Sequence, residues 1–175
     1  MIKRLGVAFL CMGFGSLLHA EEMSVNKSIL GLEVGYATVQ ADTDGGIFGE
    51  PDYQGEDIEY GFRIGAQNDD WRAMLIYNYY DNTDEDQNVQ KTFAQLDYFF
   101  SERSTFNPYF GINLGYMNYE STDIDESGFL YGGQVGFTVE LIDNIEIDMM
   151  YRYSLTDAAR TDHIGSFVFG VNYIF

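Results

Sequence analysis

One cysteine, two prolines, two histidines and one tryptophan are all that 175 residues hold of those types. Cys11 lies within the first twenty residues, so the rest of the chain has neither a disulfide framework nor thiol chemistry. Basic residues are scarce too: nine Lys and Arg stand against 28 Asp and Glu, a formal charge of −19. Nucleic acid and anionic surfaces are poor partners for that balance. After residue 20 no apolar run approaches twenty residues, which argues against helical membrane spans. No helix-period stretch, low-complexity linker or domain boundary stands out. What the chain does have is 17% aromatic and 46% hydrophobic residues, too much for an acidic disordered protein.

The N-terminus carries Lys3 and Arg4, an apolar run from Leu5 to Leu18, then Leu18-His19-Ala20 before Glu21-Glu22. This layout predicts a secretory signal peptide over residues 1–20, cut after a small residue, and a single domain over residues 21–175. The run is short for a transmembrane anchor. Ala8-Phe9-Leu10 before Cys11 makes a poor lipoprotein box. Loss of Lys3 and Arg4 takes the formal charge from −19 to −21.

Beyond that point the chain alternates with period 2. Eight segments read as strands: Ser28–Gln40, Asp57–Gln67, Trp71–Tyr80, Val89–Phe100, Pro108–Tyr119, Phe129–Leu141, Ile145–Leu155 and Ile164–Phe175. Each has roughly the 9–11 residues that a tilted membrane strand needs. The connections alternate as well. Those near Asn68, Asn107 and Asp143 are mostly short; Ala41–Glu56, Asp81–Asn88, Glu120–Gly128 and Thr156–His163 are longer and mostly acidic.

Volume decides which face points inward. One set, including Leu30, Leu32, Val34, Tyr36, Tyr60, Phe62, Tyr77, Phe110, Leu114 and Tyr151, is too bulky for the interior of an eight-stranded barrel and suits a wall against lipid. Trp71, Tyr79, Tyr153, Tyr173 and Phe175 sit near strand ends, where interfacial aromatic girdles lie. The other set mixes glycines with charge. It predicts a lumen network of Glu33, Glu59, Arg63, Arg72, Lys91, Asp97, Glu140, Glu146, Asp148 and Arg152, with Glu33 paired to Arg63 across the first two strands. Such a set either plugs the barrel or lines a narrow conduit.

The final segment, Ser-Phe-Val-Phe-Gly-Val-Asn-Tyr-Ile-Phe, places Phe167, Phe169, Val171, Tyr173 and Phe175 on one face and ends on an aromatic. It resembles the terminal strand of bacterial outer-membrane barrels. Together with the signal peptide, the eight strands and phrases such as Tyr109-Phe110-Gly111-Ile112-Asn113-Leu114-Gly115-Tyr116, the chain resembles the OmpA/OmpX-type outer-membrane β-barrel superfamily. The resemblance implies an all-β, eight-stranded antiparallel up-and-down transmembrane barrel in the bacterial outer membrane, monomeric and without a cofactor. It also implies that the five aromatic-strand residues form an assembly signal read by the barrel-assembly machinery, and that outer-membrane lipid and lipopolysaccharide surround the wall. No peptidoglycan-binding domain is expected after Phe175.

That superfamily holds structural anchors, adhesins, small pores and a few enzymes, so function is less legible than fold. The expected role is non-enzymatic: envelope structure, or surface interaction through acidic loops. A small-solute channel is the alternative, and a lipid A-modifying enzyme comes third. His163, Asp162 and Ser166 are the nearest approach to a catalytic trio, but neighbours in a strand point to opposite faces, which speaks against them. Loop carboxylates (Asp42, Asp44, Glu50, Asp52, Asp57, Asp81, Asp84, Glu85, Asp86, Asp123, Asp125 and Glu126) could share divalent cations with lipopolysaccharide phosphates or simply stay solvated. Asp123–Gly128 resembles the opening of a calcium loop, with Gln134 where the closing Glu would fall.

Overall fold

A computed structural model describes residues 27–41, 53–82, 87–100, 105–121, 124–157 and 163–175; the expected signal peptide and most of the acidic loop residues lie outside them. Eight antiparallel strands close into one barrel in sequence order. They are β1 (Lys27–Ala41), β2 (Tyr53–Gln67), β3 (Trp71–Asn82), β4 (Gln87–Phe99), β5 (Phe106–Ser121), β6 (Ile124–Ile142), β7 (Ile145–Thr156) and β8 (His163–Ile174). Closure leaves no unpaired sheet edge, which a wall in hydrocarbon requires because no water is there to satisfy backbone groups.

The strands tilt strongly. A row of paired residues runs Ile29, Gly65, Met74, Gln95, Asn113, Gly132, Ser154, Ile164 and comes back to β1 at Val39, ten residues beyond its start. With eight strands, that offset sets a tilt of about 40°. The two chain ends meet at one rim, where Ser28 and Phe175 exchange backbone hydrogen bonds of 2.8 and 3.0 Å. At this rim, Asn68 caps the β2–β3 turn by accepting from the Asp70 and Trp71 amides at 3.0 and 2.7 Å. The β1–β2, β3–β4, β5–β6 and β7–β8 connections lie at the opposite, loop end.

The polarity of a soluble barrel is inverted here. Leu32, Tyr60 and Phe167 are 66%, 67% and 67% exposed, whereas Arg63, Arg72 and Asp148 are 1%, 0% and 0% exposed. Only a non-aqueous exterior rewards that arrangement.

Two local expectations change. The Glu120–Gly128 segment is not a long loop: β5 runs to Ser121, β6 starts at Ile124, and these two residues pair. Asp125 and Glu126 therefore lie in an extended ladder opposite Glu120 and Tyr119, a backbone that cannot wrap a calcium ion. Glu140 does not join the lumen. The β6–β7 register slips between Glu140 and Ile142 beside the turn, and Glu140 ends exposed at the rim.

Candidate functional site

Inward positions of the eight strands fill the barrel, and glycines decide where long side chains fit. A Cβ on Gly170 would run into the Arg63 guanidinium, and one on Gly111 into Asp97 and Gln134. Walls that carry no side chain thus receive the arginines and amides of other walls.

Arg63 sits at the centre. Its guanidinium reaches Glu33 at 2.8 Å and Asp148 at 2.7 Å. Glu33 also faces Arg152 at 3.2 Å and accepts from Asn78 Nδ2 at 2.7 Å. Toward the termini rim, Arg72 is held by Asp97 at 2.8 Å and Asp148 at 3.0 Å, with Glu146 at 3.6 Å. The Tyr109 hydroxyl donates to Asp148 at 2.6 Å, and its ring lies 4.5 Å from the Arg72 guanidinium carbon. Toward the loop end, Lys91 and Glu59 form a separate ion pair across the lumen.

Amides knit these ions together. Ser154 donates to Asn113, Asn113 to Gln134 and Gln134 to Asp97, at 2.8, 2.8 and 2.6 Å. Gln95 donates to the same carboxylate at 2.9 Å. A buried ion is tolerated when opposite charge and hydrogen bonds surround it, and every arginine here has more than one such partner.

The structure thus brings together Glu33, Glu59, Arg63, Arg72, Lys91, Asp97, Glu146, Asp148 and Arg152, all buried, and leaves Glu140 outside the set. Sequence reasoning did not single out Tyr109, Asn78, Ser154 or Asn172. Their signal was strand parity, since each lies an even number of residues from an inward-facing neighbour. Phe167, Phe169, Val171, Tyr173 and Phe175 all lie on the outer wall. His163 sits on that wall with its ring 5.2 Å from Tyr153, while Ser166 is buried on the inner face, so the two cannot act as a catalytic pair. Asp162 lies outside the described residues. Among the described residues no group of three His, Cys, Asp or Glu could hold a metal ion.

A closed barrel with an apolar outer wall and an ionic interior defines the class: an integral β-barrel of a bacterial outer membrane. The chain belongs to the family of the outer membrane protein beta-barrel domain, which it matches over residues 7–175. It is similar in fold to Neisserial surface protein A, with a TM-score of 0.63, 18% identity, and coverage of 83% of this chain and 96% of that one. Outer membrane protein H of P. aeruginosa gives 0.62 and 20%, covering 85% and 99%. Ail, the attachment invasion locus protein of Yersinia pestis, solved with the heparin analogue sucrose octasulfate, gives 0.54 and 15%, covering 85% and 98%. No curated protein sequence matches the chain.

Proposed function

We propose that this protein is a non-enzymatic, monomeric barrel that serves envelope structure or surface interaction, and that it does not conduct solutes. The observation that carries this reading is the filled lumen: nine buried ionic side chains and their amide partners occupy the interior. Eight strands leave room for little else. The opposite faces of His163 and Ser166 support the non-enzymatic part.

Interaction falls to the loop end, the side that in this family meets the exterior. Residues 42–52, 83–86, 122–123 and 158–162 together carry nine Asp or Glu and one Arg. That charge disfavours a polyanion such as the ligand solved with Ail and favours cationic surfaces, or divalent cations shared with lipopolysaccharide phosphates. The outward-facing residues of the terminal segment (Phe167, Phe169, Val171, Tyr173 and Phe175) act as the signal for the barrel-assembly machinery.

The test is planar-bilayer conductance of the folded protein. The reading expects silence; a large, steady conductance would replace it with a small-solute channel. Binding of lipopolysaccharide vesicles with and without Mg²⁺ tests the surface role, which predicts a Mg²⁺-dependent gain.

A further inference from the structure

Buried apolar side chains such as Ile29, Met74 and Ile76 occur along the whole interior, but among the described residues its loop end holds no ion pair. Ala37 near the end of β1, Val89 at the start of β4, Met117 near the end of β5, Leu130 early in β6 and Ile164 at the start of β8 all sit at the loop end. They face inward beside Thr156 of β7, and four of them are buried to 5% exposure or less. Phe93 lies under this layer and marks its boundary, since the Arg152 guanidinium carbon stands 4.7 Å from its ring centre. Among the described residues, every ion pair of the lumen lies on the termini side of the layer, with Lys91–Glu59 next below it.

Two further features separate the halves. First, the network is redundant. Arg63 has two carboxylate partners and Glu33 has two arginines and Asn78, so opening any one contact leaves the ions tied. Second, buried polar atoms below the layer want water. The side-chain amide of Gln67 and the Oδ1 atoms of Asn78 and Asn172 find no protein partner, and these three residues are at most 2% exposed. Buried polar groups of this kind are satisfied by internal water.

We propose that the permeability barrier of this barrel is the apolar layer of Ala37, Val89, Met117, Leu130 and Ile164, and that the ion-pair network below it is a hydrated filling rather than a gate. Water and small ions exchange with the network from the termini end and stop at the layer, where five of the eight strands present apolar side chains. Apolar constrictions block ions by dewetting even when a passage is geometrically open. This inference rests on the reading that the native barrel is closed.

The experiment compares planar-bilayer conductance of the native protein with two near-isosteric variants of the layer, Val89→Thr/Ile164→Thr and Leu130→Asn, and with the network variant Arg63→Met. Heat-modifiable gel migration establishes folding of each. The native protein is silent, the layer variants open with a frequency raised about tenfold, the factor that ~1.4 kcal/mol supplies, and Arg63→Met stays silent. Opening by Arg63→Met with silent, folded layer variants overturns the inference and makes the network the gate. Folded layer variants that remain silent overturn it equally. Should Leu130→Asn fail to fold, the threonine pair alone decides, because Val89→Thr preserves side-chain shape and Ile164→Thr removes only one methyl group. Steady conductance of the native protein instead refutes the closed-barrel reading, a failure distinct from the other two.

Discussion

Removing Arg63 perturbs the lumen where its charges are most shared. Five buried carboxylates (Glu33, Glu59, Asp97, Glu146 and Asp148) would then face three cations instead of four. Breaking a buried pair by deleting one partner costs about 3–5 kcal/mol. The lower end applies to Arg63→Ala. Glu33 keeps Arg152 at 3.2 Å and Asn78 at 2.7 Å, and Asp148 keeps Arg72 at 3.0 Å and Tyr109 at 2.6 Å. The expected loss is therefore about 3 kcal/mol. Adding Glu33→Ala or Asp148→Ala removes one stranded carboxylate each time, so each double-mutant cycle should show a coupling of about 1–3 kcal/mol. The assay is a urea titration of the barrel folded into lipid vesicles, followed by the fluorescence of Trp71, the single tryptophan. Trp71 packs against Tyr98 with ring centres 4.8 Å apart on the outer wall, clear of the substituted sites. Additivity within about 0.5 kcal/mol in both cycles would refute the reasoning, since it would mean that Arg63 shares no energy with either carboxylate.

Lys91→Met should destabilise by about 3–5 kcal/mol by stranding Glu59, and Lys91→Met/Glu59→Gln should recover most of that loss in the same titration. Tyr109→Phe deletes the 2.6 Å hydrogen bond to Asp148 and should cost about 1.5–3 kcal/mol, with the far-ultraviolet dichroism unchanged. Gly170→Ala puts a methyl group against the Arg63 guanidinium and should cost about 1–3 kcal/mol, relieved in part by Arg63→Lys; an unchanged midpoint would mean that the close approach is not there. Deleting Phe175 removes its backbone bonds with Ser28 and its ring contact with Tyr173 at 5.9 Å, and should lower the heat-modifiable fraction recovered in outer membranes.

Much of this molecule could be read from side-chain alternation. Period 2 places each of Arg63, Arg72, Asp97, Asp148 and Arg152 on the same face as neighbouring glycines, and volume alone turns that face inward. Strand ends were less legible. Glu120–Gly128 is acidic and polar like a loop, yet residues as far as Ser121 and from Ile124 stay in the ladder, because a hairpin that emerges into water can keep pairing without an apolar face. Glu140 obeys both parity and register, pairing with Glu146, but it lies at the rim beside the bulge and is exposed, and where the wall ends cannot be seen in a hydropathy pattern. The roles of Tyr109 and Asn78 depend on which strands meet across the lumen. That is fixed by the ten-residue offset of the closed wall, a property of all eight strands together that no single segment carries.

The same offset sorts the places where the protein can change length. A residue inserted into or deleted from the middle of any strand would turn every later side chain of that strand through the wall, delivering Arg63 or Asp148 to lipid and Leu32 or Phe62 to the ionic interior. The one register slip in the described wall lies at the rim, between Glu140 and Ile142, where the inverted stretch is only a turn long. Lineages carrying this fold can therefore lengthen, shorten or exchange the segments at the loop end freely while the cylinder keeps its count. The face shown to the outside world is editable; the thread that holds it is not.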